Sequence, residues 1–492
     1  MPTTAASSFV TALLLTTSLA RAQTCSSDKK VDYQEPVVAD GWSYRLVADD
    51  LRRPRGVAFD QDGHLLVVDS GVGIVRLRLQ DDGETCVSVE DKSTCTTLIV
   101  PTNAGNLQLN HGVALSANGE WLYASTVENV YRWRYSSSDD PSDRQTIVTN
   151  MTNGGHSSRT LLLPPSDPNL LLISRGSDGN EDEGTRDIDS GRSQLRSFNL
   201  SSIQDNSDPI DYINGEVLAW GLRNSVGVAE HPEGGIWTVE NSMDNLERDG
   251  KDIHKDNPGE ELNYHGKLNE SSDEKGANYG YPLCLALWST EDFPDQGSLK
   301  TGDQFSQQQT REIDDEKCND DYISPRLTFQ AHTAPLDIKF NKNGSEAFIS
   351  LHGSWNREDP VGYKIISVDF SSSSHEPEAD KDSTSAAKDI LTNKDLSRCP
   401  SDCFRPVGLA WDSENRLFFS SDSTGEIFVL RKDGASSNDN GGGNSSSDNG
   451  DGNGSDQGGD DEDGVQGLHQ FAPRSAVWAV TFAAVVVGML LT

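Results

Sequence analysis

Residues 406–421 read PVGLAWDSENRLFFSS. An apolar run meets a polar turn, Asp412 to Asn415, and a second apolar run follows. Two short strand-forming runs bounded by Asn, Asp and Ser predict a β-hairpin. The same unit recurs upstream as RGVAFDQDGHLLVVD (55–69), HGVALSANGEWLYAS (111–125), RTLLLPPSDPNLLLIS (159–174), SVGVAEHPEGGIWTVE (225–240) and LDIKFNKNGSEAFISL (336–351). Third strands follow in several copies, as IVRLRL, NVYRWRY and EIFVLR, and a fourth is expected in each. Six four-stranded units repeated about an axis predict an all-β chain folded as a six-bladed β-propeller over residues 40–432. Hairpin pairs could also build a sandwich, but six units over this length exceed what one sandwich holds. The segment WSYRLVA (42–48) is expected to close the ring as an outer strand of the last blade. Between the fourth and fifth copies, residues 245–330 form a long polar insert, the kind of loop that shapes a binding face.

The two ends carry targeting signals. Thr11 to Ala20 is a short apolar run followed by Arg21-Ala22-Gln23, which reads as a signal peptide over residues 1–22. A Gly/Ser/Asn/Asp-rich linker spans 433–467, and the apolar tail within 468–492 has no basic residues beyond it. Small residue, polar spacer and terminal apolar tail make the pattern of a glycosylphosphatidylinositol-anchor signal, with a tail-end membrane helix as the alternative. Gly464, Gly467 and Asn453 are candidate attachment residues. Secretion to the cell surface is therefore expected, and sequons at Asn150, Asn199, Asn269, Asn343, Asn444 and Asn453 agree with it. The formal net charge of −37 argues against nucleic-acid partners, whose phosphates it would repel.

Seven cysteines in an oxidising compartment should mostly pair. Closeness in sequence suggests Cys86–Cys95 and Cys399–Cys403, with Cys284–Cys318 closing a longer loop and Cys25 left over.

The chemistry lies at the mouths of the repeats. Arg55, His111, His156 with Arg159, Arg223 with Asn224, His332 and Arg405 open the successive copies. His352, Trp355, Asn356 and Arg357 follow the second strand of the fifth copy, and Asp422 that of the sixth. In a propeller these positions cluster around the central channel. Any one Arg or His there could be an ordinary strand-end partner. A whole ring of them in a chain this acidic suits an anionic ligand carrying several carboxylates or phosphates, which Arg reads bidentately. Ser157 near His156 lacks the G-x-S-x-G elbow of a hydrolase, and no Gly-rich fingerprint opens a nucleotide-binding helix.

The stretches HSSRTLLL (156–163), WGLRNSVGVA (220–229), VENSMDN (239–245), HGSWNREDPVGYKI (352–365) and FRPVGLAWD (404–412) resemble the glucose/sorbosone dehydrogenase family, closest to the fungal pyranose dehydrogenases dependent on pyrroloquinoline quinone (PQQ). The resemblance implies a six-bladed propeller with PQQ and calcium over its axis. It implies that His156 is the general base for the sugar hydroxyl, that the hydride goes to the quinone, and that Arg223 stands beside the quinone oxygen. It further implies cofactor contacts for Asn224, Arg357 and Arg405, with Arg55, His111, His352 and Trp355 as neighbours. Asp422 would orient an arginine or touch substrate. The calcium would rest on the backbone carbonyls of Ser242 and Met243, with Glu240 and Asp244 as further oxygen ligands. Bacterial members have Gly-Pro at the two carbonyl positions, so the match there is in place rather than identity. The acidic loop SDGNEDEGTRDID (177–189) lacks EF-hand spacing and reads as a solvated loop. The expected activity is oxidation of a pyranose, sugar aldehyde or ketose, with electrons passing to an external acceptor such as a cytochrome, a quinone or a partner oxidase. The membrane would be reached only through the lipid anchor. Two other classes stay open: a propeller that hydrolyses lactones or esters at a central calcium, and a non-catalytic ligand-binding propeller.

Overall fold

The structure is a computed structural model that describes Cys25 and residues 29–90, 96–102 and 107–434. The expected leader, the C-terminal anchor signal and nearly all of the linker lie outside the described residues.

The apolar runs of the repeats form strands that are covered on both faces. In Leu65–Asp69 every residue is buried. Side chains alternate along a strand, so Leu65 and Val67 pack toward the sixth blade while Leu66 and Val68 pack toward the second. The pattern repeats around the ring, and each of six apolar clusters lies between two successive blades. This is why the runs read as continuous hydrophobic stretches rather than alternating ones.

Among the described residues six blade sheets result, one per repeat, each with its inner strand nearest the axis; all are antiparallel except for a two-residue parallel strand at the outer edge of blades two and three. The inner strands are Pro54–Phe59, Val113–Leu115, Leu161–Leu162, Ser225–Glu230, Pro335–Phe340 and Pro406–Trp411. Adjacent blades come so close there that backbone meets backbone. A Cβ on Gly56 would stand 2.1 Å from the His111 carbonyl oxygen, and one on Gly408 would stand 2.3 Å from that of Arg55. Where the repeat lacks this glycine, a polar side chain bridges instead. The Thr160 hydroxyl bonds to the Val226 carbonyl, and Asp337 accepts the Leu409 N–H at 2.8 Å. Second-strand serines complete the stitching: Ser125, Ser350 and Ser420 donate to the carbonyls of Arg159, Val407 and Arg55 at 2.7, 2.6 and 2.6 Å.

Trp42–Ala48 pairs antiparallel with Glu426–Lys432 and closes the ring, as expected. Val37–Val38 adds to the outer edge of blade five beside Lys388–Thr392.

Two expectations need correction. The stretch 245–330 is not one insert, because it contains the third and fourth strands of blade four, Glu260–Lys267 and Leu327–Phe329. The loop between them folds into a hairpin, Cys284–Ala286 with Gln304–Ser306, and a helix, Asp315–Asp321. The Cys284–Cys318 bridge joins the two, and Cys399–Cys403 also forms. Cys86, however, bonds to Cys25 and not to Cys95. An extra hairpin in blade one, Leu79–Asp81 with Val87–Val89, carries Cys86 to the N-terminal segment. Cys95 lies outside the described residues.

Candidate active site

Arg55, second in its inner strand, and short segments before the other inner strands, which carry His111, His156, Arg223, His332 and Arg405, meet at one end of the axis. Loops leaving the second strands add Asp244, His352 and Asp422 there. Two networks form. In the first, Asp422 pairs with Arg55 at 2.7 Å and accepts from His352 Nε2 at 2.8 Å. The second nitrogen of the Arg55 fork lies 3.5 Å from His111 Nδ1. Arg405 donates to the His352 and Gly353 carbonyls at 3.1 and 3.2 Å, and its Nη1 makes no bond among the described residues. Burial pushes His352 down to about 4, opposed by Asp422, so its Nε2–H is a neutral donor. Burial, and then the Arg55 charge, hold His111 well below the usual imidazole range. Burial alone would raise Asp422; the His352 hydrogen bond and the Arg55 charge outweigh it and keep the carboxylate ionised.

In the second network, His156 Nδ1 lies 3.1 Å from the Ser177 carbonyl, which can only accept, and 3.0 Å from the Ser177 hydroxyl, whose own proton goes to the Gly179 carbonyl at 2.6 Å. Nδ1 therefore carries the proton and Nε2 keeps its lone pair. Burial first, and the Arg223 charge second, push His156 down to about 4, so it is a neutral imidazole across the neutral range. Arg223 is fixed by four bonds to three residues: Asn180 O at 3.1 Å, Asn180 Oδ1 at 2.8 Å, Asn241 O at 3.0 Å and Asp244 Oδ2 at 3.2 Å. Asp244 Oδ1 lies 3.4 Å from His332 Nδ1. Burial disfavours the imidazolium of His332, but Asp244 and neighbouring acceptors win and raise its pKa.

The networks join into a closed circuit. Asn110 Nδ2, beside His111, donates to the Ser157 carbonyl beside His156 at 2.9 Å. On the other side, the His352 and Gly353 amides bond to the Ala334 and Thr333 carbonyls, next to His332, at 2.9 and 3.0 Å. Below this ring the axis holds a cavity of about 340 Å³ lined by His111, Thr160 and the Asp337–Lys339 pair, among others.

Some expected residues stand elsewhere. Arg159 does not face the axis: it is fully buried and its guanidinium holds the Met151, His156 and Ser158 carbonyls at 2.7, 2.8 and 2.7 Å. Arg357 joins neither network, since it donates to the Lys255 and Asp359 carbonyls at 2.6 and 3.1 Å. Trp355, in the same loop, is 67% exposed. Asn224 packs beside Gly176, whose added Cβ would lie 2.5 Å from its Oδ1. Glu240 points into blade four, where Oε1 accepts the Arg223 N–H at 2.5 Å and Oε2 faces Asn263 at 3.4 Å. This removes Glu240 from the expected cation ligands, and Asp244 is already engaged by Arg223 and His332. The Ser242 and Met243 carbonyls accept no hydrogen bond from a described residue, although both residues are buried. Among the described residues no cluster of three or more His, Cys, Asp or Glu could hold a metal, so a cation here would depend on those carbonyls.

Sequence reading missed Ser177 and Asn180. Both lie in the acidic loop read as solvated, yet Asn180 forms a two-way bridge with Asp244, donating to its carbonyl at 2.7 Å and accepting its N–H at 2.8 Å. Tyr281, from the loop beyond blade four's third strand, donates to the Asn180 carbonyl at 3.0 Å. The loop's acidity hid Asn180; only its place in the loop that leaves blade three's second strand, Leu170–Arg175, could have marked it.

A family profile described as TrAA12-like matches residues 36–433. A PQQ-dependent sugar dehydrogenase of Hypocrea jecorina is 51% identical over 426 residues, covering 85% of this chain and 95% of that protein. A PQQ-dependent pyranose dehydrogenase of Coprinopsis cinerea is 36% identical over 410 residues, 80% of this chain but 54% of the longer relative. Among solved structures, the calcium structure of a Trichoderma reesei family AA12 enzyme superposes with a TM-score of 0.79 at 51% identity, covering 83% of this chain and all of that one. The holo PQQ domain of the Coprinopsis pyranose dehydrogenase gives 0.75 at 35% identity, covering 83% and 99%. With the ring of Arg and His at the blade mouths already in place, these matches leave one assignment, and the chain belongs to the TrAA12-like family.

Proposed function

We propose that this protein is a PQQ-dependent sugar dehydrogenase that oxidises a CH–OH group of a pyranose and passes the electrons to an external acceptor. The observation that carries the reading is the His156–Arg223 pair: a neutral imidazole with a free Nε2, beside a fixed guanidinium, in a cationic ring at the propeller axis. The ring fits a quinone bearing three carboxylates. Arg55 and Arg405 would hold carboxylates, with His111, His352, Asn224 and the rim residues Trp355 and Arg357 around the bound group. Calcium would rest on the Ser242 and Met243 carbonyls, which are free to take a hard cation.

PQQ, when bound, supplies the two-electron acceptor that the side chains lack. The protein's share is positioning and proton handling. His156 Nε2 takes the proton of the sugar hydroxyl, which requires the neutral form that burial maintains. Nδ1–H, held by Ser177, keeps the ring from turning and stabilises the imidazolium that forms. Arg223 places fixed positive charge where negative charge develops on oxygen, and its four bonds remove the reorganisation that a free side chain would need. Asp422 balances Arg55 so that the ring is not a cluster of bare cations.

The leader and tail patterns support export and lipid anchoring at the cell surface, which release by a phosphatidylinositol-specific phospholipase would test. The activity is tested by titrating the recombinant ectodomain with PQQ and calcium, then following reduction of a dye with a panel of sugars. Tight binding with sugar-dependent dye reduction is expected; a folded protein that ignores PQQ would sink the reading.

A further inference from the structure

Glu260 opens the third strand of blade four and is 4% exposed. Its Oε2 accepts the Ser242 N–H at 2.8 Å and its Oε1 accepts the Ala334 N–H at 3.0 Å. Those amides belong to separate loops. The first, 241–245, leaves blade four, carries the free carbonyls of Ser242 and Met243, and presents Asp244 to Arg223. The second leads into blade five and carries His332, which reaches back to Asp244 at 3.4 Å. One carboxyl group thus joins two loops 92 residues apart in sequence (334 − 242). The second loop needs such a tie, because His332 and Ala334 have φ of 67° and 55°, a left-handed backbone that L side chains seldom adopt. The neighbouring Glu261 has equal burial but different work: it accepts from Asn263 at 2.9 Å and is bonded by the Ala286 amide.

We propose that Glu260 is a positioning residue that sets the spacing between the 241–245 loop and the 332–334 loop, and through it the cation affinity of the Ser242 and Met243 carbonyls. The second half rests on the calcium reading above. Glutamine in place of Glu260 keeps the shape but offers one acceptor oxygen, and its amide nitrogen must then face one of the two backbone N–H groups. A buried donor left unpaired in this way loosens the loop it belongs to.

The test compares hydrogen exchange in the metal-free wild type, E260Q, E260D and E261Q, followed by calcium titration without quinone. In E260Q, peptides covering 241–245 and 332–335 should lose protection together, with the blade strands unchanged. Calcium affinity should fall by about 10- to 100-fold, the range found when groups supporting metal ligands are removed. E260D keeps the charge but shortens the side chain, so it should also loosen both loops; it serves as well if E260Q folds poorly. E261Q should leave both loops and the affinity within about threefold of wild type. Unchanged protection in E260Q and E260D, or equal loosening in E261Q, overturns the proposal. Loosening of both loops in a protein whose wild type takes no calcium would keep the positioning role and refute the calcium reading instead.

Discussion

Acidification separates a buried base from an ordinary one. His156 is pushed down to about 4, by burial first and by Arg223 second. An imidazole with a pKa near 6.5 is only ~3% neutral at pH 5, whereas a value of about 4 leaves ~90% in the basic form, a difference of about 30-fold in available base. The assay is single-turnover reduction of the bound quinone by sugar, followed by absorbance between pH 3 and 8. The observed rate constant should fall less than twofold between pH 7 and 5, then about tenfold per unit below pH 4. Replacing Arg223 by Gln removes the second cause and leaves the first, so the surviving activity should show its acid limb shifted upward but short of 6.5. A loss of tenfold or more between pH 7 and 5 in the wild type would refute the assignment of His156 as the buried neutral base. A limb unmoved by the Arg223 change would refute the electrostatic part.

Three further perturbations follow from the geometry. Asn180→Ala deletes the bridge to Asp244 and a bond to Arg223 from an exposed loop, so PQQ affinity or turnover should drop about 10- to 100-fold with little change in unfolding midpoint; equal loss of stability and activity would point to a merely structural role. Gly56→Ala places a methyl group 2.1 Å from the His111 carbonyl oxygen, so blades one and two must part by about 1 Å, at about 2–3 kcal/mol in urea unfolding; a change within about 0.5 kcal/mol would show that the contact is not tight. Glu426, buried against the Tyr33 hydroxyl at 2.8 Å, is pushed up to about 7 chiefly by burial. Its stabilising proton is fully present below about 4.5 and lost as the pH rises to about 7. Glu426→Gln should therefore match wild type near pH 4.5 and exceed it by about 1–3 kcal/mol at pH 8, and an equal difference at both pH values would contradict the account.

The inner two strands of each blade were legible because they are buried on both faces and repeat with the same turn chemistry. The third strand of blade four was not. Its residues EELNYHGK look polar, because Glu261, Asn263 and His265 alternate on a face that meets polar partners such as Thr238 and Glu240 rather than an apolar neighbour. Hydrophobic periodicity cannot find such a strand. The ring of Arg55, His111, His156, Arg223, His352, Arg405 and Asp422 was readable from its place at the blade mouths. Arg159 occupies a similar place in sequence, yet its guanidinium is spent on backbone carbonyls, a difference only the local geometry reveals. Cys86 was matched to its nearest cysteine in sequence, while the extra hairpin of blade one carries it to a distant one.

The strand that closes the ring also sets an order of events. Trp42 pairs with Lys432, so a strand made among the first must wait for the last, some 390 residues of synthesis or roughly 20–80 s at ordinary elongation rates. During that interval its edge is open to wrong partners. The Cys25–Cys86 bridge spans only 61 residues and can form as soon as blade one has emerged. It tethers the waiting strand to the nascent first blade, so that when the sixth blade appears its missing edge is already nearby.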